Sequence, residues 1–137
     1  MAKYGWYPSS GGSKAQKPSD TLKLKVEQAL KPVIEEATAA LAPFDESKEI
    51  NQGIYFFGKW NRNFYYVYQK LKTPPNSMVE EFDYGVARMK YVGDQQFDLA
   101  YFRHTGKWED IFTHAGLSLE KAVEAIKNDP WFLPSAM

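Results

Sequence analysis

The sequence predicts an α+β fold of one domain and two layers: an N-terminal helix kinked at Pro32, an antiparallel meander of 4-5 strands, and a C-terminal helix. Three observations predict it. Apolar residues recur at steps of three and four between Leu22 and Leu41, and again from Leu119 to Ile126. Between Ile54 and Phe112 the pattern changes to short runs rich in aromatic and β-branched residues, cut by turn residues. Strands do not alternate with helices, so a doubly wound nucleotide-binding sheet is not expected.

Residues 1–19 read as an irregular aromatic arm and residues 20–134 as the single α+β domain. Tyr4, Trp6 and Tyr7 precede a Gly/Ser tract that has no reason to order by itself. Three such rings are costly to leave in water, so the arm is expected to dock on the domain or on a partner. Ser19 or Asp20 should cap the first helix, because a short side-chain oxygen can accept from the orphan N–H groups of the first turn. Pro32 either kinks this helix or opens a second one, and Pro43 marks the end. Residues 44–50 are a charged loop.

The first strand signal is Ile54 to Phe57. A turn at residues 61–63 leads to a second strand, Phe64 to Leu71. Pro74 and Pro75 lack donors and stop the ladder. Phe82 to Val92 is a third strand, and Gly93 with Asp94 turns into a fourth, in which Phe97, Leu99 and Tyr101 share a face. A tight turn at residues 104–107 leads to a short last strand from Trp108 to Phe112. Ser118 caps the final helix alone: Lys121 stands where a capping box needs an acid or amide. Asn128, Asp129 and Pro130 end it, and Trp131, Phe132 and Leu133 must pack somewhere.

A chain of 137 residues can bury a core without staples, and with no cysteine it has none. Disulfides, thiol catalysis and Cys-ligated metals are excluded, and the cytoplasm is the expected compartment. No apolar run approaches the roughly 18–20 residues that span a bilayer, so no membrane partner is expected. Seventeen basic and seventeen acidic residues cancel, but unevenly: no acid lies between Glu49 and Glu80, a stretch holding Lys59, Arg62, Lys70 and Lys72, and residues 1–19 carry none either. Aromatics are abundant, 22 of 137 residues, which suits a β-rich core or a contact surface.

The strings that bind nucleotides or metals, or that carry nucleophiles, are missing, and no cofactor is expected. His104 and His114 could titrate near neutrality, and with Glu109 and Asp110 they draw a two-histidine, one-carboxylate metal site that the spacing does not demand. Glu80, Glu81 and Asp83 could pair for acid–base work, or could keep a strand edge soluble. The most suggestive stretch runs from Gly58 to Lys70. Phe64, Tyr66 and Tyr68 alternate with Tyr65 and Val67, so this strand is apolar on both faces and is either covered twice or offers one face to a partner.

From Phe82 onward, Ala87-Arg88-Met89, Phe97 and Leu99, Arg103 with Gly106-Lys107-Trp108, then Ser118-Leu119, Ile126, Asp129-Pro130 and Phe132 make a recurrent order. It resembles an uncharacterised family of short bacterial α+β proteins, a domain of unknown function, over residues 82–133. The resemblance implies a helix, a meander ending near a Lys-Trp pair, a C-terminal helix closing on Asp-Pro, and a bacterial source. It carries over no catalytic residue.

The function expected is a non-catalytic binding or interaction module using an aromatic and basic sheet surface: Lys59, Trp60, Arg62, Phe64, Tyr66 and Tyr68, with Arg103 and His104 beside them. Its partner would be a second copy in a homodimer or another protein. One alternative is single-stranded nucleic acid, whose bases stack on rings while cations hold phosphates. The other is a small enzyme with a sheet–helix pocket, His104 its acid or base and Arg103 its anion holder.

Overall fold

The computed structural model describes residues 17–129 and Phe132; the aromatic arm before Lys17, with Trp131 and Leu133, lies outside them. Helix α1 spans Asp20–Ala39. Ser19 caps it, its hydroxyl accepting the Leu22 N–H at 3.1 Å. Leu22, Val26, Leu30 and Val33 form the buried stripe. Pro32 lies inside this single helix and does not open a second one. A proline there removes one hydrogen bond, at about 3 kcal/mol. The helix passes through because Pro32 faces solvent while Leu30 and Val33, on either side, are held in the core.

Six strands follow: β1 Gln52–Asn61, β2 Phe64–Lys72, β3 Glu81–Gly93, β4 Gln96–Phe102, β5 Trp108–Asp110 and β6 Leu117–Ser118. They form one antiparallel sheet of order β1-β2-β3-β4-β5, with β6 also paired to β4. Ser118 then caps α2, Leu119–Asn128, by accepting from the Lys121 N–H. This is the α+β arrangement that the sequence predicts.

Turn chemistry sets the register. Arg62, at φ 57°, and Asn63 join β1 to β2 so that Asn61 faces Phe64 and Trp60 faces Tyr65. Asp94 and Gln95, at φ 51° and 61°, join β3 to β4, and two positive φ values match the right-handed twist of the strands they connect. Register shifts interrupt the β1–β2, β2–β3 and β3–β4 ladders, and each extra residue bends the sheet.

Both helices contact one face of the sheet and each other. That face supplies Phe56, Tyr65, Val67, Ala87, Met89, Tyr91, Phe97 and Leu99 to the core, closed by Ala122 and Ile126 of α2 and by Phe132. The chain departs from the sequence reading at one end. The fifth strand stops at Asp110 instead of reaching Phe112, and Phe112–His114 form a 3-10 turn that leaves Phe112 exposed. The two-residue strand β6 was not expected. No helix among the described residues is long and apolar enough to cross a membrane.

Candidate functional site

The two faces of β2 have different fates. Tyr65 and Val67 point toward the helices and are buried at 3% and 2% exposure. Phe64, Tyr66 and Tyr68 point the other way, onto a face where no described helix packs, and stay half-buried. Cross-strand pairing adds Tyr55 and Phe57 from β1 to this open face, Arg88 and Lys90 from β3, Phe102 from β4 and Trp108 from β5.

The rings touch in series. Tyr55 meets Phe57 at 5.9 Å between centroids, Phe57 stacks on Tyr68 at 5.6 Å, and Tyr68 stacks on Tyr66 at 5.7 Å. Tyr66 branches to Phe64 at 5.8 Å and to Trp108 at 5.5 Å. Trp108 meets Phe102 edge-on at 5.2 Å, and Phe102 meets Tyr84 at the rim. Such pairs contribute about 0.5–1.5 kcal/mol each beyond area burial. Gly85 is the floor under the indole: a Cβ there would lie 2.8 Å from Trp108 Cζ2 and 3.0 Å from Phe102 Cγ.

Cations interleave with the rings. The Lys59 amine lies 5.4 Å from the Tyr68 ring centre and the Lys70 amine 5.8 Å from that of Phe57. The Arg88 guanidinium sits between Phe64, at 4.8 Å, and Trp108, at 5.8 Å. Its Nη2 donates to Asp110 at 3.0 Å, while Nε is buried with no hydrogen-bond partner among the described residues. Lys70 pairs with Asp83 at 2.7 Å, and that hydrogen bond raises its pKa. Burial, then the nearby Tyr66 and Asp83, raises the Tyr68 hydroxyl.

At one end the open face meets a cleft of about 550 Å³, its described lining made of Lys17, Pro18, Lys23, Arg62, Asn63, Phe64 and Lys90. The turn that carries Arg62 is tied to β3, where the Tyr91 N–H donates to the Asn63 carbonyl at 2.8 Å.

The residues singled out from sequence therefore fall into three places. Lys59, Phe64, Tyr66 and Tyr68 share the open face, and Arg62 stands at its end. Trp60 does not belong with them. It lies on the helix side, its ring 5.3 Å from that of Tyr65 and its Nε1 donating to the Lys23 carbonyl at 3.3 Å. Arg103 and His104 lie in the loop between β4 and β5. Arg103 holds Glu109 at 2.8 Å, which raises its pKa; His104 is exposed; neither lines the cleft described above.

The paper metal site does not assemble. Glu109 is on Arg103, Asp110 on Arg88, and His114 bonds Asp129 at 2.7 Å, with no metal-holding cluster among the described residues. The sequence reading missed Phe57, Arg88, Lys90, Phe102 and Trp108. Alternation places Phe57 and Lys59 together, but only the strand pairing brings Trp108 to Tyr66.

Comparison with known proteins decides the family. A model described as a domain of unknown function, DUF3024, matches residues 22–134. The chain belongs to that family. The match takes in α1 from Leu22 onward, every strand and α2, so it extends well beyond residues 82–133, where the sequence resemblance was read. No curated protein and no solved structure matches the chain significantly.

Proposed function

We propose that this DUF3024 protein is a non-catalytic binding module whose open sheet face recognises an anionic partner. One observation carries the reading: a continuous series of ring contacts interleaved with Lys59, Lys70 and Arg88, on a face where no described helix packs. Tyr, Trp and Arg are the residues that most often dominate binding energy at interfaces: Tyr and Trp combine large area with two torsions and a polar handle, and Arg adds a planar, charged fork of donors. Charge points to the partner's sign. Asp83 and Asp110 already hold Lys70 and Arg88. Asp98, across the ladder from Lys90, accepts from the Gly116 N–H at 2.7 Å. Lys59 and Lys90 form no ion pair among the described residues, so the uncompensated charge is positive. The cytoplasm is the compartment we propose for it, as the sequence suggests.

The test is the double substitution Tyr66→Ala with Trp108→Ala, compared with the native chain. Titration with poly-glutamate and with a short oligo(dT), read by anisotropy, should show binding by the native chain and at least tenfold weaker binding by the variant. Circular dichroism should show the same fold in both. Equal binding, or loss of the fold along with the rings, would remove the reading. Sedimentation at rising concentration checks the second copy: a dimer that the double substitution abolishes would replace the anionic partner with the chain itself.

A further inference from the structure

The cleft at the end of the open face has a lining unlike the rest of the surface. Lys17, Lys23, Arg62 and Lys90 converge on about 550 Å³ with no carboxylate among its described lining residues. None of the four forms an ion pair among the described residues; the Lys23 amine only approaches the Trp60 ring, at 5.8 Å. Residues 1–16 add Lys3 and Lys14 to the chain's charge and no acid. Asp98 stands across the ladder from Lys90 but does not line the cleft, and holding four cations around one cleft whose described lining has no carboxylate is electrostatically unfavourable, which an anion relieves. The backbone presents this charge firmly, since Lys23 stands in the first turn of α1, Lys90 in a central strand, and Arg62 in a turn tied to that strand.

Phe64 belongs to both places. It lines the cleft and touches Tyr66 and Arg88 on the open face. An anion in the cleft is therefore adjacent to the start of the ring series. Phosphate joined to a planar base has that geometry, and the volume lies within the roughly 300–1,000 Å³ range of ligand sites. A duplex hides its base faces in its own stack, whereas a single strand offers both faces and its phosphates.

We propose that the cleft is a phosphate-binding site and that its ligand is a single strand of nucleic acid, one phosphate seated among Lys17, Lys23, Arg62 and Lys90 and the neighbouring bases laid toward Phe64 and Tyr66. This rests on the open-face reading and names its partner. An acidic peptide would satisfy the cations but would leave the juxtaposed rings unused.

The experiment uses the full chain and a short fluorescent oligo(dT), read by anisotropy across a salt series. The cleft variant is Arg62→Ala with Lys90→Ala. The control is Lys31→Ala with Lys121→Ala, which removes the same charge from exposed positions on the helices. The cleft variant should bind about tenfold more weakly, and its salt slope should fall by roughly 0.7, the share of one phosphate contact on a single strand. The control should bind as the native chain does.

Equal weakening in the control overturns the site, because the binding is then general attraction. No binding by the native chain at low salt overturns it as well, while poly-glutamate titration still judges the open face. Poly-glutamate competing as strongly as unlabelled oligo(dT) overturns nucleic acid as the ligand. If the Tyr66→Ala, Trp108→Ala variant binds like the native chain while the cleft variant fails, the phosphate site stands and the open-face reading falls.

Discussion

The sheet hides its two faces by different means. On the helix side, α1 and α2 supply the cover, and Leu30, Met89, Phe97 and Leu99 lose all contact with water. On the other side the rings cover one another, and Phe57, Phe64, Tyr66, Tyr68, Phe102 and Trp108 all remain half-buried. Charge follows the same division: among the described residues no buried residue of the core is polar or charged apart from the tyrosines, whereas cations stand among the rings. A face closed by helices is committed to stability. A face closed by its own side chains keeps a surface that another molecule can still replace.

The comparison can be broken where it makes its largest claim. Leu99→Ala should destabilise the protein by about 2–5 kcal/mol, because the cavity cannot collapse between sheet and helices. Urea denaturation measures it, and a loss below that of Tyr66→Ala would reverse the ranking of the two faces. The next effect is set by pH. Burial, with a smaller contribution from Glu27, pushes the Tyr65 hydroxyl up to about 12. The native state then holds a proton that the unfolded chain gives up near 10, so stability falls as pH rises from 10 to 12. The fall attributable to this residue is roughly 2–3 kcal/mol. Tyr65→Phe should remove that part of the slope in urea melts at high pH.

Smaller effects sharpen the picture on the open side. Gly85→Ala should lift the Trp108 ring off the sheet at about 1–2 kcal/mol, with a red-shifted tryptophan emission as the indole meets water. Tyr66→Ala should cost about 1.5 kcal/mol, the low end for its three ring contacts, because its ring is only half-buried and its neighbours can close in. A cost matching that of Leu99→Ala would show that the open face is a second core.

Much of this organisation was legible from periodicity. The α1 stripe and the alternation of Phe97, Leu99 and Tyr101 are legible from spacing; the cap Ser118, and Ser19 as one of two candidates with Asp20, are legible from residue type. Trp60 shows where spacing runs out. A turn of three residues at 61–63 would set Trp60 opposite Phe64, on the open face. The actual turn has two residues, Arg62 and Asn63, which sets Trp60 opposite Tyr65 and under α1. One residue of turn length thus moves a side chain through the sheet. Strand β6 was illegible for a simpler reason: two residues carry no period. Arg88 and Trp108 come together only through the pairing of β3, β4 and β5, a long-range fact that no local pattern encodes.

The strand order β1-β2-β3-β4-β5 is also the order of synthesis. A chain emerging from the ribosome can add each strand to the one just before it, without waiting for a distant segment or threading a crossover. The open face is complete once Trp108 emerges, whereas the opposite face still lacks Ala122 and Ile126 of α2. A nascent chain halted after the fifth strand would therefore already display its aromatic surface above an unfinished interior, and the last helix acts as a late closing wedge.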